Sequence, residues 1–296
     1  MMLPLRDAAR TSILSKKWRF YWLKLPQLVF DDTMIQDSMK NQNSLQSKLL
    51  MTIYQVLLLH NGPIVKFTLS ISELEGCYEI YPLILVLSRG GIKELTIDIF
   101  SITSNDADGL NLEHVEEGEA SEMLEVFGCL PVIETLKLGF RFMKFLTMGG
   151  VPERLLFTLD HLKVLQLNEI YFGEIVEVSF ALCLIKSSPN LKKIEIEVFT
   201  SKDGAPGPLV LEFLEMQDYS DASLKQLREV KMRFISGTRP ELEFIKLILA
   251  KSPMLESMLI ESNTKKIDDN GVAILTELTR FRRISPNVEI IYKAAD

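Results

Sequence analysis

The chain has little of the chemistry that marks a catalytic or metal-binding protein. Its 296 residues include only three histidines and three cysteines, and the cysteines at 77, 129 and 183 show no CxxC spacing. A zinc site or a disulfide framework would need closely spaced or paired thiols. Glycine-rich phosphate loops and the H-E-x-x-H metalloprotease motif are also absent from the sequence. We therefore expect no enzymatic activity, no metal site and no cofactor.

Long apolar runs and an excess of basic charge are also missing. Runs such as "LILVL" are far too short to cross a bilayer, and the N-terminus lacks the apolar stretch of a signal peptide. The formal net charge of −7 disfavours nucleic-acid binding. The first 25 residues carry a net charge of +5, so a nucleic-acid contact there stays open as a minor alternative. Without any N-x-[ST] sequon, the chain is expected in the cytoplasm or nucleus, with no membrane partner.

A short apolar pattern recurs along most of the chain. The pattern apolar-x-x-apolar-x-apolar occurs as "IVKFTL", "IKELTI", "IETLKL", "LKVLQL", "LKKIEI", "LREVKM" and "LESMLI", which begin at Ile64, Ile92, Ile133, Leu162, Leu191, Leu227 and Leu255. Successive starts are 28, 41, 29, 29, 36 and 28 residues apart. The final apolar-x-apolar has the period of a strand, and the stretch before it often has helical spacing. Each unit is therefore predicted to be a helix, a turn and a strand.

The ends of the predicted helices carry the same residues in two units. "FALCLIKSSPNL" and "FIKLILAKSPML" both place Lys near the helix end and Ser-Pro directly after it. Each unit exposes an apolar face that only a neighbouring unit can cover, so the units are expected to stack. The pattern resembles a leucine-rich repeat in its long helical form, which implies an α/β solenoid with a parallel sheet. The Asn or Cys that usually follows the strand occurs only as Asn263, which predicts irregular turns; an ordinary α/β sheet is the alternative.

The first 32 residues include the basic, tryptophan-bearing stretch "LPLRDAARTSILSKKWRFYWLKLPQLVFDD". Apolar side chains at steps of three to five predict an amphipathic helix, which on spacing alone could simply cap the repeats. The stretch resembles the second half of a plant F-box, which runs from Leu-Pro through a D-A-A-R-T-S helix into an L-P-x-L-x-F-D strand. The resemblance implies docking to the adaptor of an SCF-type ubiquitin ligase, with contacts from Leu3, Pro4, Leu14, Trp18 and Trp22.

The C-terminal third carries a second resemblance. "LKQLREVKMRFISGTRPELEFIKLILAKSPMLESMLI" resembles the FBD module of plant F-box/leucine-rich-repeat proteins, including its E-L-x-F-I helix and S-P-x-L-E-x-M turn. "RFRRISPNVEIIY" is similar to the usual tail of that module. We therefore predict a partial F-box at 1–32, a repeat region at 33–215 and an FBD module at 216–296 that continues the array. Nine acidic residues and no Lys or Arg between Asp98 and Glu125 predict an acidic loop at about 101–122.

The family resemblance implies a substrate receptor of an SCF-type E3 ubiquitin ligase. Such a receptor has no catalytic residues and promotes ubiquitin-dependent degradation by holding its target close to the conjugating enzyme. The adaptor would bind the F-box, the cullin would be reached indirectly, and an unidentified protein substrate would bind the concave face of the strands. The polar residues between the apolar positions are the candidate substrate contacts: Lys93, Glu94, Lys137, Lys163, Gln166, Lys192, Glu195 and Lys231.

The sequence departs from the family pattern in two places. It opens at the last Leu-Pro of the first F-box helix, so most of that helix is not in the sequence. Family members typically carry further repeats near the long step between Ile92 and Ile133, which predicts a shortened array. A missing helix would leave Leu14, Trp18 and Trp22 without their cover and weaken docking. The alternative function is a protein-interaction scaffold that has lost adaptor binding.

Overall fold

A computed structural model of the chain describes residues 21–32, 42–72, 80–100, 124–200, 208–217, 224–263 and 269–294. The chain divides into two compact units, Met1–Leu146 and Thr147–Asp296. Four of the predicted adaptor contacts, at positions 3, 4, 14 and 18, and the predicted acidic loop at 101–122 lie outside the described residues. Within the described stretches, no helix is long and apolar enough to span a membrane.

The first unit is built from strands that alternate with helical segments. Its strands are β1 (Gln27–Asp31), β2 (Lys66–Ser72), β3 (Glu94–Phe100) and β4 (Thr135–Leu138). Its helices are α1 (Gln42–Leu59), α2 (Ile80–Ser88) and α3 (Phe140–Leu146), with 3-10 turns at Tyr21–Lys24 and Leu124–Cys129. Each strand pairs in parallel with the next one along the chain.

The second unit repeats the same alternation more regularly. Its strands are β5 (Val164–Ile170), β6 (Lys193–Val198), β7 (Glu229–Ile235), β8 (Ser257–Ser262) and β9 (Glu289–Lys293). Its helices are α4 (Ile175–Lys186), α5 (Pro208–Glu215), α6 (Arg239–Lys251) and α7 (Asp269–Arg280). These strands also pair in parallel and in chain order. The predicted α/β class, with helix–turn–strand units and parallel strands, is confirmed.

The apolar positions of the repeat pattern lie at matching places on neighbouring strands. In each unit the central apolar residues are register partners, namely Phe67, Leu95 and Leu136 in the first unit and Leu165, Ile194, Val230 and Met258 in the second. None of these side chains is more than 2% exposed. Burying an aliphatic side chain contributes about 1.5–3 kcal/mol relative to leaving it in water. The recurring pattern therefore marks the rows of residues that hold each unit together.

The ends of the strands differ from the predicted pattern. Phe100, Ile170 and Ile235 stand where a turn was expected, but each one is the last residue of its strand. In β5 and β7 the register shifts by one residue near the end, and Glu169 and Phe234 adopt positive φ angles of 62° and 61°. One extra residue of this kind is a β-bulge, which bends the strand and redirects its side chains. The irregularity that was expected after the strands therefore lies within them.

The structure also adds two strands to the seven found from the repeat pattern. β1 is the strand that the F-box-like stretch predicts at its end, whereas β9, in the tail that resembles the end of an FBD module, was not predicted. The boundary between the compact units, after Leu146, is not one of the boundaries predicted from the motifs. The division into F-box, repeat region and FBD module remains a prediction.

Candidate functional site

The predicted substrate contacts fall into two groups. Glu94, Lys137, Gln166, Glu195 and Lys231 lie on strands, half-buried and between core positions. The last three are register partners and form one row across β5, β6 and β7. The remaining predicted contacts stand one residue before their strands, where they are exposed, and these are Lys93, Lys163 and Lys192. All eight residues lie between apolar positions of the repeat pattern, and their role as substrate contacts remains a prediction.

Outward-facing residues of β6, β7 and β8 form connected ion pairs. Arg233 Nη1 lies 2.6 Å from Glu197 Oε1, and its Nε lies 3.3 Å from Glu261 Oε2. Lys231 Nζ lies 3.5 Å from the other oxygen of Glu261. Each partly exposed pair is worth about 0–1 kcal/mol in isolation. Their main effect is therefore to hold long side chains of three neighbouring strands in a fixed arrangement.

Several predicted contacts already have charged partners within the chain. Lys193, which the sequence analysis did not single out, lies 2.9 Å from Glu195 and 3.4 Å from Glu229. The hydrogen bond to Glu195 raises the pKa of Lys193. In the first unit, Lys66 lies 2.8 Å from Glu94. Positive and negative side chains alternate on these strands, so a partner would meet a mixed pattern of charge.

Exposed aromatic and hydrogen-bonding side chains lie where strands of the second unit end. Phe199 and Phe234 are each 46% exposed, and the Tyr171 ring meets the Phe199 ring edge-on at a centroid distance of 6.3 Å. Ser236 Oγ lies 2.7 Å from Thr200 Oγ1 and accepts a hydrogen bond of 2.7 Å from Asn263 Nδ2. We call this set the aromatic edge, and it comprises Tyr171, Phe199, Thr200, Phe234, Ser236 and Asn263.

The aromatic edge has the composition of a protein-binding surface. Aromatic residues are enriched at the centres of protein interfaces, where their large surfaces are buried on binding. Phe199 stands at a position where the usual leucine-rich repeat has Asn or Cys. This departure was the one signal in the sequence that pointed to the aromatic edge. The exposure of its side chain could not be predicted from the repeat pattern alone. No earlier expectation placed a binding surface here.

Two glutamates hold the backbone beside the aromatic edge. Glu241 Oε2 accepts hydrogen bonds from the backbone N–H groups of Ser236, Gly237 and Thr238, at 3.0, 2.7 and 3.0 Å. Glu177 Oε2 accepts one from the N–H of Tyr171 at 2.7 Å. In the usual repeat an Asn side chain bonds the backbone where the chain leaves the strand. Here a carboxylate from the following helix performs that role after β5 and β7.

The burial of Glu241 predicts a specific pH dependence of stability. Its side chain is 2% exposed, and burial raises its pKa, although the backbone N–H groups act in the opposite direction. The folded chain thus holds a proton here more readily than the unfolded chain, so this group's contribution to stability falls as pH rises through its titration. In urea unfolding between about pH 4 and 7, the wild type should lose stability relative to Glu241→Gln. If the wild type instead gained stability relative to Glu241→Gln as the pH rises, the assigned direction of the pKa shift would be wrong.

The chain was also compared with known proteins. No model of a protein family and no solved structure matches it significantly. An F-box/FBD/LRR-repeat protein of Arabidopsis thaliana is 28% identical, over 98% of this chain and 94% of that protein. A second Arabidopsis thaliana F-box/FBD/LRR-repeat protein is 26% identical, over 69% of this chain and 40% of that protein. An F-box/LRR-repeat protein of the same organism is 31% identical, over 52% of this chain and 33% of that protein.

The alignment with the first of these relatives also bears on the predicted shortening of the repeats. It extends over 396 positions, whereas this chain has 296 residues. That relative therefore contains stretches with no counterpart here, as a shortened array requires. The chain is similar along almost its whole length to one Arabidopsis thaliana F-box/FBD/LRR-repeat protein, which confirms the resemblance carried by its motifs.

Proposed function

We propose that the chain is a substrate receptor of an SCF-type E3 ubiquitin ligase. Its relatives include F-box/FBD/LRR-repeat and F-box/LRR-repeat proteins, and this relationship supports the general role of a substrate adaptor. In the proposed mechanism, the repeats hold a target protein and the F-box segment binds the ligase adaptor. Proximity of the target to the conjugating enzyme then accelerates ubiquitin transfer. The receptor itself contributes binding and positioning, and no bond-making residue.

The aromatic edge is the observation that supports target binding most strongly. Exposed Phe199 and Phe234 offer large apolar surfaces, and the hydrogen-bonded Thr200, Ser236 and Asn263 lie beside them. Interfaces with a central aromatic cluster draw most of their affinity from a few such residues. The hydrogen bonds and ion pairs that already order this surface reduce the conformational entropy lost on binding. We place the target on the aromatic edge and on the adjoining outward faces of β6, β7 and β8.

Replacing both exposed phenylalanines should remove target binding while leaving the fold intact. We expect the double variant Phe199→Ala/Phe234→Ala to bind the target at least tenfold more weakly, which corresponds to about 1.4 kcal/mol. The target would first be identified by quantitative affinity purification from plant extracts and then titrated against purified wild type and variant. Circular dichroism melts should show that the variant remains folded, because both side chains are nearly half exposed.

A matched control separates binding at the aromatic edge from non-specific hydrophobic binding. Leu209 is an apolar residue of α5 that is 64% exposed, and Leu209→Ala should leave the affinity for the target unchanged. Two results would contradict the assignment: equal affinities of the double variant and the wild type, or an equal loss with Leu209→Ala.

The end of the F-box segment is tied to the first unit by hydrogen bonds. Asn61 N–H donates to the carbonyl of Leu23 at 2.8 Å. His60 Nε2 lies 2.9 Å from the carbonyl of Leu25, in a tautomer that leaves Nδ1 to accept from the N–H of Gly62. Trp22, the one predicted adaptor contact among the described residues, is half-buried just before these bonds. These bonds hold the residues directly after Trp22 against the turn that follows α1.

The alternative candidate is a protein-interaction scaffold without a link to the ligase. It shares the aromatic edge and differs only in lacking affinity for the adaptor. Measurement of adaptor binding separates the two candidates.

A further inference from the structure

Strand β9 is the last strand of the second unit and has one neighbour. It pairs with β8 from Ser257↔Glu289 to Glu261↔Lys293, and among the described residues no strand pairs with its other side. An open strand edge presents unpaired backbone N–H and C=O groups to another strand. The edge of β9 can therefore accept a further strand.

The core-facing residues of β9 are incompletely covered. Ile290 and Tyr292 are the register partners of Met258 and Ile260 on β8. Met258 and Ile260 are 0% exposed, whereas Ile290 and Tyr292 are only half-buried. A further strand beside β9 would complete the burial that the preceding strands already have.

The charges of β9 are self-complementary. Its sequence is Glu-Ile-Ile-Tyr-Lys, with exposed Glu289 and Lys293 at opposite ends and Ile291 at the centre. If two copies pair antiparallel about Ile291, Glu289 of each copy lies opposite Lys293 of the other. Opposite charges directly across a strand pair stabilise it, and like charges destabilise it. A parallel, in-register pair would instead place like charges side by side.

We propose that β9 is a homodimer interface, in which two copies of the chain pair their β9 strands antiparallel around a two-fold axis. Ile290 of one copy then lies opposite Tyr292 of the other on the core side of the strands. Two-fold symmetry is the commonest symmetry of soluble homo-oligomers. In such a dimer each contact between two residues of the interface occurs twice. The proposal rests on β9 alone and is independent of the ligase function.

The predicted dimer is weak. Five residues on each strand bury much less surface than a standard interface of about 1,600 Å² in total. We expect dissociation in the micromolar range, which sedimentation velocity of the full chain can follow over a series of concentrations. If the chain sediments as a monomer up to a concentration of about 100 times a dissociation constant of about 1 μM, the proposal is overturned.

A charge-reversal experiment tests the antiparallel register. Lys293→Glu places two glutamates opposite each other at both ends of the strand pair, and Glu289→Lys does the same with two lysines. Each single variant should dimerise at least tenfold more weakly than the wild type. The double variant Glu289→Lys/Lys293→Glu restores opposite charges and should recover the wild-type constant. Lys225→Glu, an exposed charge reversal before β7, should leave dimerisation unchanged.

The outcomes separate specific pairing from other effects. Recovery in the double variant supports the antiparallel pair, because unfolding caused by the single changes would not be repaired by a second one. Unchanged dimerisation in the single variants would overturn the proposal. A double variant that remains as weak as the single variants would also overturn it, and circular dichroism melts of every variant verify that each one is folded.

Discussion

Phe244→Ala should lower the free energy of unfolding by about 3–5 kcal/mol. Phe244 lies on α6, and its side chain is 0% exposed. Its ring meets the ring of Phe172, which lies between β5 and α4, edge-on at a centroid distance of 5.2 Å. The residue belongs to the E-L-x-F-I motif and joins the helix of one repeat to the core beneath another. Truncation removes buried apolar surface and leaves a cavity that the second unit cannot fully close.

Phe199→Ala is the matched control for this change. It deletes the same side chain, but from a position that is 46% exposed, so we expect a loss below about 1 kcal/mol. Urea unfolding followed by circular dichroism measures both variants under one condition. If the two variants lose equal free energy of unfolding, the burial of Phe244 does not stabilise the second unit as we expect.

Glu241→Ala should lower the free energy of unfolding by about 3 kcal/mol, because three half-buried backbone donors lose their acceptor, and a fully buried donor without a partner costs about 1–3 kcal/mol. One carboxylate oxygen accepts from Ser236, Gly237 and Thr238, and water at the partly exposed turn replaces some of those bonds. Glu241→Gln retains one acceptor oxygen in the same place and should cost less than the alanine change. The turn between β7 and α6 therefore depends on the oxygen more than on the charge.

Glu243→Ala provides the control within the same helix. Glu243 pairs with Lys246 three residues later, at 2.7 Å, and helix pairs of this spacing contribute about 0.2–0.5 kcal/mol. Urea unfolding of the three variants should therefore rank Glu241→Ala as the most damaging and Glu243→Ala as the least. The reverse order would show that Glu241 does not hold the turn.

The repeat architecture could be predicted because it depends on local patterns. Apolar residues at strand spacing, such as Leu165, Ile194 and Met258, lie in the core because one strand face must be buried. Strand β9 was missed for an equally local reason. In the preceding unit the pattern begins with Leu255, two residues before the start of β8. The corresponding residue before β9 is Asn287, so the first apolar position of the pattern is absent there.

The candidate site could be predicted only in part. Alternation placed Gln166, Glu195 and Lys231 on the outward side of neighbouring strands, and their common row followed from the register. The aromatic edge brings together residues from different repeats, and the positive φ of Phe234 has no simple sequence signal. Glu241 had a readable signal, because Thr238-Arg-Pro-Glu241 matches the capping box at a helix start. Its bonds to the preceding turn still required the tertiary structure.

Calorimetric titration of the purified adaptor tests most directly whether this chain is a ligase receptor. The titration compares the 296-residue chain with a version that carries a full first F-box helix before Leu3. The F-box resemblance implies that this helix covers Leu14, Trp18 and Trp22, and burying one large apolar side chain contributes about 1.5–3 kcal/mol. We expect the longer version to bind the adaptor, and the 296-residue chain to bind it at least tenfold more weakly, a difference of about 1.4 kcal/mol. Failure of both versions to bind would contradict the assignment as a receptor.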